Sequence, residues 1–256
     1  MKTVALSNIV ELLDRELDTT AFAADSSHNG LQVENSGQIS KICCGVDASL
    51  EFLEQAHAAG ANLCVVHHGL SWGPSLARIT GLNYRLISFL IQHDMALYAS
   101  HLPLDAHASL GNNALLARKL GLRHLAPFGE YKGMTIGFRG TLPRAISSES
   151  FAKRLATATP GGNLVAMPFG NPMIRTVGVI SGGADNELPQ AIAAGLDAYV
   201  SGEVGLQAYN EARHGQINAF FAGHYATETF GVKALGELLE RRFSLPTEFI
   251  DLQLPY

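Results

Sequence analysis

The sequence predicts an α/β fold built as two internally duplicated α/β lobes, and three observations carry that prediction. Met95-Ala-Leu-Tyr-Ala-Ser-His101-Leu-Pro-Leu-Asp105 and Ile217-Asn-Ala-Phe-Phe-Ala-Gly-His224-Tyr-Ala-Thr-Glu228 share one plan: an apolar strand, a small residue, then His-x-x-x-acid. Upstream, Cys44-Gly45-Val46 and Val177-Gly178-Val179 each end a strand, and each is followed by a helical stretch that closes on Ala-Gly and a short strand. Seven residues after Gly60 and Gly195 come His67-His68 in the first copy and Gly202-Glu203 in the second. Two pseudo-symmetric lobes would bring both sets of strand ends to one cleft. The expected division is a first lobe over 1–125, completed by about 232–256, and a second over 126–231.

In chain order, Asn8-x-x-Glu11 has the spacing of a capping box, and Ile9, Val10, Leu12, Leu13 and Leu17 give a helical stripe behind it. Turn residues around Asn29-Gly30 separate this helix from the next apolar stretch, and His28 in that turn could face a site. Ile39 to Val46 reads as a strand, Leu50 to Ala59 as a helix with Gly60 past its end, and Leu63 to Val66 as a short buried strand. Leu82 to Gln92 is helical, Met95 to Ala99 is a strand, and Pro103 argues for a loop over 101–107. A helix over 111–120 follows. The middle region from Pro127 carries a glycine-rich strand over 134–141 and a helix over 148–158, and it reads as structural or as an interface. Arg175 to Ile180 opens the second copy, and Thr247 to Leu252 reads as a last strand returning to one of the sheets.

Composition narrows the function. Hydrophobic residues make up 47% and charged residues 16%, which describes a globular chain long enough for a large core. The net charge is −5 with scattered basic residues, and this disfavours a broad nucleic-acid footprint. Cys43, Cys44 and Cys64 lie in apolar strand patterns without CxxC spacing, so reduced, buried thiols and a cytoplasmic location are expected. No apolar run approaches a membrane span.

The chemistry-bearing residues gather at matching strand ends: His67, His68, His101, Asp105, His224 and Glu228. Imidazoles mixed with carboxylates suit zinc, iron, manganese, cobalt or nickel, whereas calcium and magnesium prefer oxygen alone. So many ligands favour two divalent ions over one, with a lowered water pKa as the consequence. A histidine pair on an extended chain points to opposite faces unless the chain turns there. The same residues are also compatible with capping and loop hydrogen bonds, or with metal-free His-Asp catalysis, although no Gly-x-Ser-x-Gly elbow supplies a nucleophile. Trp72 would either wall a pocket or pack in its loop. Ser181-Gly-Gly-Ala-Asp185 lacks both the dinucleotide fingerprint and the Walker lysine and reads as a tight turn.

Val-Val-His67-His68-Gly-Leu-Ser-Trp, His101-Leu-Pro-Leu-Asp105, Leu-Asp-Ala-Tyr-Val-Ser-Gly-Glu203 and Ala-Gly-His224-Tyr-Ala-Thr-Glu228, with Asn29-Gly30-Leu-Gln-Val, together resemble the GTP cyclohydrolase 1 type 2-like, or NGG-interacting-factor-like, family in its short bacterial form. The resemblance spans nearly the full chain and implies two interlinked lobes, a dinuclear metal site in the cleft between them and toroidal homohexamers. It implies His67, His68, Asp105, His224 and Glu228 as metal ligands, Glu228 bridging, with His101 as a neighbouring catalytic or substrate contact. Ser201 stands where the family more often has threonine before Gly-Glu. The expected function is a metal-dependent hydrolase acting through His101 and Glu228 on a nucleotide-like, phosphorylated or cyclic-amide small molecule. The alternative is a non-catalytic metal-binding or metal-delivery oligomer.

Overall fold

Short apolar runs bounded by glycines and polar turns become strands, and amphipathic stretches become the helices that cover them. The computed structural model describes residues 2–74 and 76–255. Its elements in order are β1 (Val4–Ala5), α1 (Leu6–Leu17), β2 (Gly30–Val33), β3 (Gln38–Ile39), β4 (Ile42–Asp47), α2 (Leu50–Ala58), β5 (Leu63–His68), α3 (Gly81–Gln92) and β6 (Ala96–Ala99). Then come α4 (Leu102–Ala106), α5 (Asn112–Lys119), β7 (Arg123–Tyr131), β8 (Met134–Ser147), α6 (Ser148–Ala158), β9 (Val165–Pro168), β10 (Met173–Val179) and α7 (Leu188–Ala193). The last are β11 (Ala198–Ser201), α8 (Leu206–His214), β12 (Asn218–Phe221), α9 (His224–Thr227), α10 (Thr229–Phe243) and β13 (Thr247–Phe249). The chain forms two compact units, Met1–Leu104 with Gly231–Leu252, and Asp105–Phe230 with Gln253–Tyr256. The first crossing comes before the change of pattern at Pro127, because α5 packs Leu116, Ala117 and Leu120 into the second unit's core.

In the first unit a five-stranded sheet has the order β13-β4-β5-β6-β2, with only β2 antiparallel to its neighbour. Parallel strands buried on both faces need continuous apolar runs, and Cys43, Cys44, Cys64, Val65, Val66 and Leu97 supply them. Phe52, Leu53, Leu86 and Leu90 from α2 and α3 complete one core. Gly45 is required here, since a Cβ would stand 2.4 Å from the Phe52 ring. The register sets Asp47 opposite His68 at the carboxyl ends of β4 and β5.

The second unit holds a six-stranded sheet of order β7-β8-β10-β11-β12-β9, in which β10, β11 and β12 are parallel. Phe151 and Leu155 of α6 close its core on Val177, Val179, Val200 and Phe220, with the Phe151 and Phe220 rings 5.1 Å apart. Each sheet therefore centres on three successive parallel strands, β4-β5-β6 and β10-β11-β12, with an antiparallel strand on the outer side of the third. No helix among the described residues is long and apolar enough to cross a membrane.

Local expectations fail in two places. Helix α1 begins at Leu6 after an uncapped Ala5, so Asn8 lies inside it; the β1 pairing with β3 and the Leu6 N–H to Gly37 carbonyl bond of 2.9 Å fix its start instead. Residues 102–106 form the short helix α4 rather than a loop, because Pro103 falls in the first turn, where its missing N–H has no helical partner to lose.

Candidate metal centre

Four histidines stand at or just beyond the ends of parallel strands, and all four are anchored through the same ring nitrogen. The His67 Nδ1 lies 2.8 Å from the Ser100 carbonyl, His68 Nδ1 2.7 Å from Asp47, His101 Nδ1 2.9 Å from Asp25, and His224 Nδ1 2.6 Å from Glu203. A carbonyl or carboxylate oxygen can only accept, so each Nδ1 carries the proton; in the neutral ring Nε2 then holds the lone pair. This is the orientation by which proteins prepare histidine for a metal.

In the first unit, ligand atoms of His67, His68 and His101 all lie within 4.8 Å of one another, an arrangement that could hold an ion. The histidine pair shares one group because β5 ends there. The turn needs Gly69, where a Cβ would stand 2.3 Å from Gln32 Oε1 and 2.6 Å from the Ala99 Cβ. Ring centroids of His67 and His68 are 4.6 Å apart. Trp72 packs on the group with its ring 4.9 Å from His101 and 5.8 Å from His68, while its Nε1–H donates to the Gly69 carbonyl at 2.8 Å. Asp25 has a 1% exposed side chain. Burial alone would raise its pKa, but His101, Asn29 and the Ser27 N–H outweigh that and hold it at about 2. His28 turns instead to the Ser71 hydroxyl, 2.6 Å away.

In the second unit His224 opens α9, and Glu228 occupies the break before α10. Their i,i+4 spacing sets His224 Nε2 3.1 Å from Glu228 Oε2, and Glu228 is buried. Burial would lower the His224 pKa, yet the carboxylates of Glu228 and Glu203 push it up to about 10. The turn expected at Ser181-Gly182-Gly183 lies directly beneath: Gly182, at φ +65°, accepts from the N–H groups of Gly202 and Glu203 at 2.9 Å each and donates its own to the Thr227 hydroxyl at 3.1 Å. A Cβ on Gly182 would stand 2.2 Å from Glu228 Oε1 and 3.2 Å from His224 Nε2, so glycine keeps the space around both donors clear. Asp105 is buried and its Oδ1 accepts from Asn112 at 2.9 Å and Ser181 at 3.1 Å. His107 accepts through Nδ1 from the N–H groups of Ser109 and Leu110 at 3.2 and 3.0 Å and so caps its own turn.

The donors fit a borderline divalent ion: oriented imidazoles, buried carboxylates, and space kept by glycine. Asp25 and Asp47 carry no spacing signal in the sequence, because each meets its histidine only through the fold. Glu203 stands out in the sequence through its place in the repeat and in the Ser-Gly-Glu stretch of the family resemblance. The three cysteines are buried and free. Burial pushes Cys43 up to about 11 and raises Cys44 and Cys64 as well, which removes them as nucleophiles near neutral pH.

The family model for Duf34/NIF3 (NGG1p interacting factor 3) matches residues 4–254. A "GTP cyclohydrolase 1 type 2 homolog" of Archaeoglobus fulgidus is 41% identical over 247 residues, covering 96% of this chain and 98% of that protein. One of the same name from Pseudomonas aeruginosa is 40% identical and covers 98% and 99%. Among solved structures, protein ybgI, described as of unknown function, superposes with a TM-score of 0.92 at 32% identity over 99% of this chain and 100% of that one. Reduced HcgD from Methanocaldococcus jannaschii shares the fold, with a TM-score of 0.86 at 23% identity over 98% and 100%.

Proposed function

The chain belongs to the Duf34/NIF3 (NGG1p interacting factor 3) family, and from that premise we propose that it is a cytoplasmic metal-dependent hydrolase whose ligands are His67, His68, Asp105, His224 and Glu228. The reading takes two divalent transition-metal ions per chain, from among zinc, iron, manganese, cobalt and nickel. One observation carries it: His67, His68, His101 and His224 each have Nδ1 tied to an oxygen acceptor, which sets Nε2 as the donor. A protein that used these rings for packing alone would not need the same ring nitrogen anchored four times.

Ions held there supply Lewis acidity toward water and substrate. The remaining work falls to the chain. Asp47 and Glu203 orient His68 and His224, and Asn112 and Ser181 hold Asp105. His101, backed by Asp25, moves a proton to or from the reacting group, and Glu228 is its carboxylate counterpart. Trp72 offers a flat apolar wall beside His101 for a ring-bearing substrate. The relatives' name directs substrate choice toward nucleotides and related phosphorylated or cyclic-amide molecules. The working assembly is a toroidal homohexamer, testable by light scattering on an eluting gel-filtration peak.

Turnover of a nucleotide and phosphodiester panel by metal-reconstituted protein tests the enzyme reading. Wild type should exceed His68→Ala and Glu228→Ala by orders of magnitude. Equal background rates in all three would leave a metal-binding or metal-delivery protein.

A further inference from the structure

An acidic chain with net charge −5 nevertheless collects four arginines, Arg118, Arg123, Arg144 and Arg154, around one cavity of about 830 Å³ in the second unit. We propose that this cavity is a binding site for a small molecule bearing a di- or triphosphate group. It contains none of the candidate metal ligands. No acidic residue lines it, and no ion pair ties these four arginines to a carboxylate among the described residues. The one acidic side chain nearby in sequence, Glu149, is bound to Lys153 at 2.6 Å.

The guanidiniums are positioned by the fold. Arg118 Nη2 donates to the Ala108 carbonyl at 2.7 Å, and Arg154 Nη1 to the Leu120 carbonyl at 3.0 Å. Each still has further N–H donors to offer. Gly121 has φ +82°, and a Cβ there would lie 3.2 Å from Arg154 Nη1, so glycine serves both the turn and the approach of the arginine. Arg123 pairs across to Thr141, and the register of β8 then slips before Ile146 meets Ile174. The slip releases residues 142–145 from regular pairing and sets Arg144 on the rim. Leu122 and Leu142 are buried beneath as an apolar floor.

Four like charges gathered on one surface repel each other, and an anion with several negative oxygens removes that repulsion. Guanidinium forks match phosphate oxygens two at a time. The volume lies in the range of small-molecule pockets and is too short a track for a long polyanion.

The test is calorimetric titration of inorganic triphosphate into chelator-treated, full-length protein, so that capture of bound metal does not mimic binding. Wild type should bind with a dissociation constant that rises steeply with salt, the Arg123→Gln/Arg144→Gln variant should bind at least tenfold more weakly, and a Glu228→Ala variant should bind as wild type does. A matching circular dichroism melt shows that the double variant is folded. Equal affinity of wild type and the double variant, or no heat up to millimolar triphosphate, overturns the proposal. So does a single-stranded oligonucleotide that binds through the same arginines more tightly than triphosphate. Loss of binding in Glu228→Ala would place the anion at the metal ligands and overturn the separate site, while leaving the hydrolase reading standing.

Discussion

His101 Nδ1 lies 2.9 Å from the Oδ1 of Asp25, seventy-six residues away in sequence, on a carboxylate whose side chain is 1% exposed. Asp25 also accepts from Asn29 at 2.9 Å and from the Ser27 and Leu102 N–H groups at 3.1 Å each, so it ties the turn before β2 to the end of β6.

The Asp25 pKa is lowered from 3.8 to about 2. A depressed carboxylate contributes stability that is complete above its unfolded value and is lost as pH falls through the folded one. The expected contribution is about 2 kcal/mol at neutral pH, disappearing between roughly pH 4 and 2. Urea unfolding at a series of pH values should show this loss in wild type and a flatter profile in Asp25→Asn. Superimposable profiles would remove the anchoring role of Asp25.

Asp47 lies 2.7 Å from Nδ1 of His68, a proposed metal ligand, and would act on a bound ion through that ring. Asp47→Asn should keep the fold and weaken metal affinity about 10- to 100-fold, as loss of an outer-shell partner does elsewhere. Competition against a chromophoric chelator measures this. An unchanged affinity would mean that His68 is oriented by other contacts.

Gly182 and Gly183 provide a matched pair. Alanine at 182 would set its Cβ 2.2 Å from Glu228 Oε1 at a φ of +65°, whereas at 183 the nearest atom is Glu203 Oε2 at 3.4 Å. Gly182→Ala should abolish metal retention and cost about 1–3 kcal/mol of stability, and Gly183→Ala should be nearly silent in both. Thermal melts and metal content of the two variants, side by side, decide the matter.

The sheet centres are legible in the sequence because buried parallel strands write themselves as uninterrupted apolar runs, such as Leu63 to Val66 and Met95 to Ala99. The His-x-x-x-acid spacing likewise survives translation into structure, since Glu228 follows His224 by one helical turn and closes to 3.1 Å. What escaped was long-range. Asp25 and Asp47 look like ordinary turn and strand-end acids until the sheet brings them to His101 and His68. Pro103 reads as a breaker because the sequence does not say where a helix starts, and a first-turn proline is compatible with one. The Ser181-Gly182-Gly183 stretch reads as a tight turn and forms one, but nothing in its sequence says that Gly182 leaves room around Glu228.

The most direct test of the metal centre is elemental analysis by inductively coupled plasma mass spectrometry on untagged protein, wild type beside Glu228→Ala. The account predicts about two transition-metal ions per wild-type chain and their loss in the variant. No bound metal in wild type, even after anaerobic reconstitution, would contradict it.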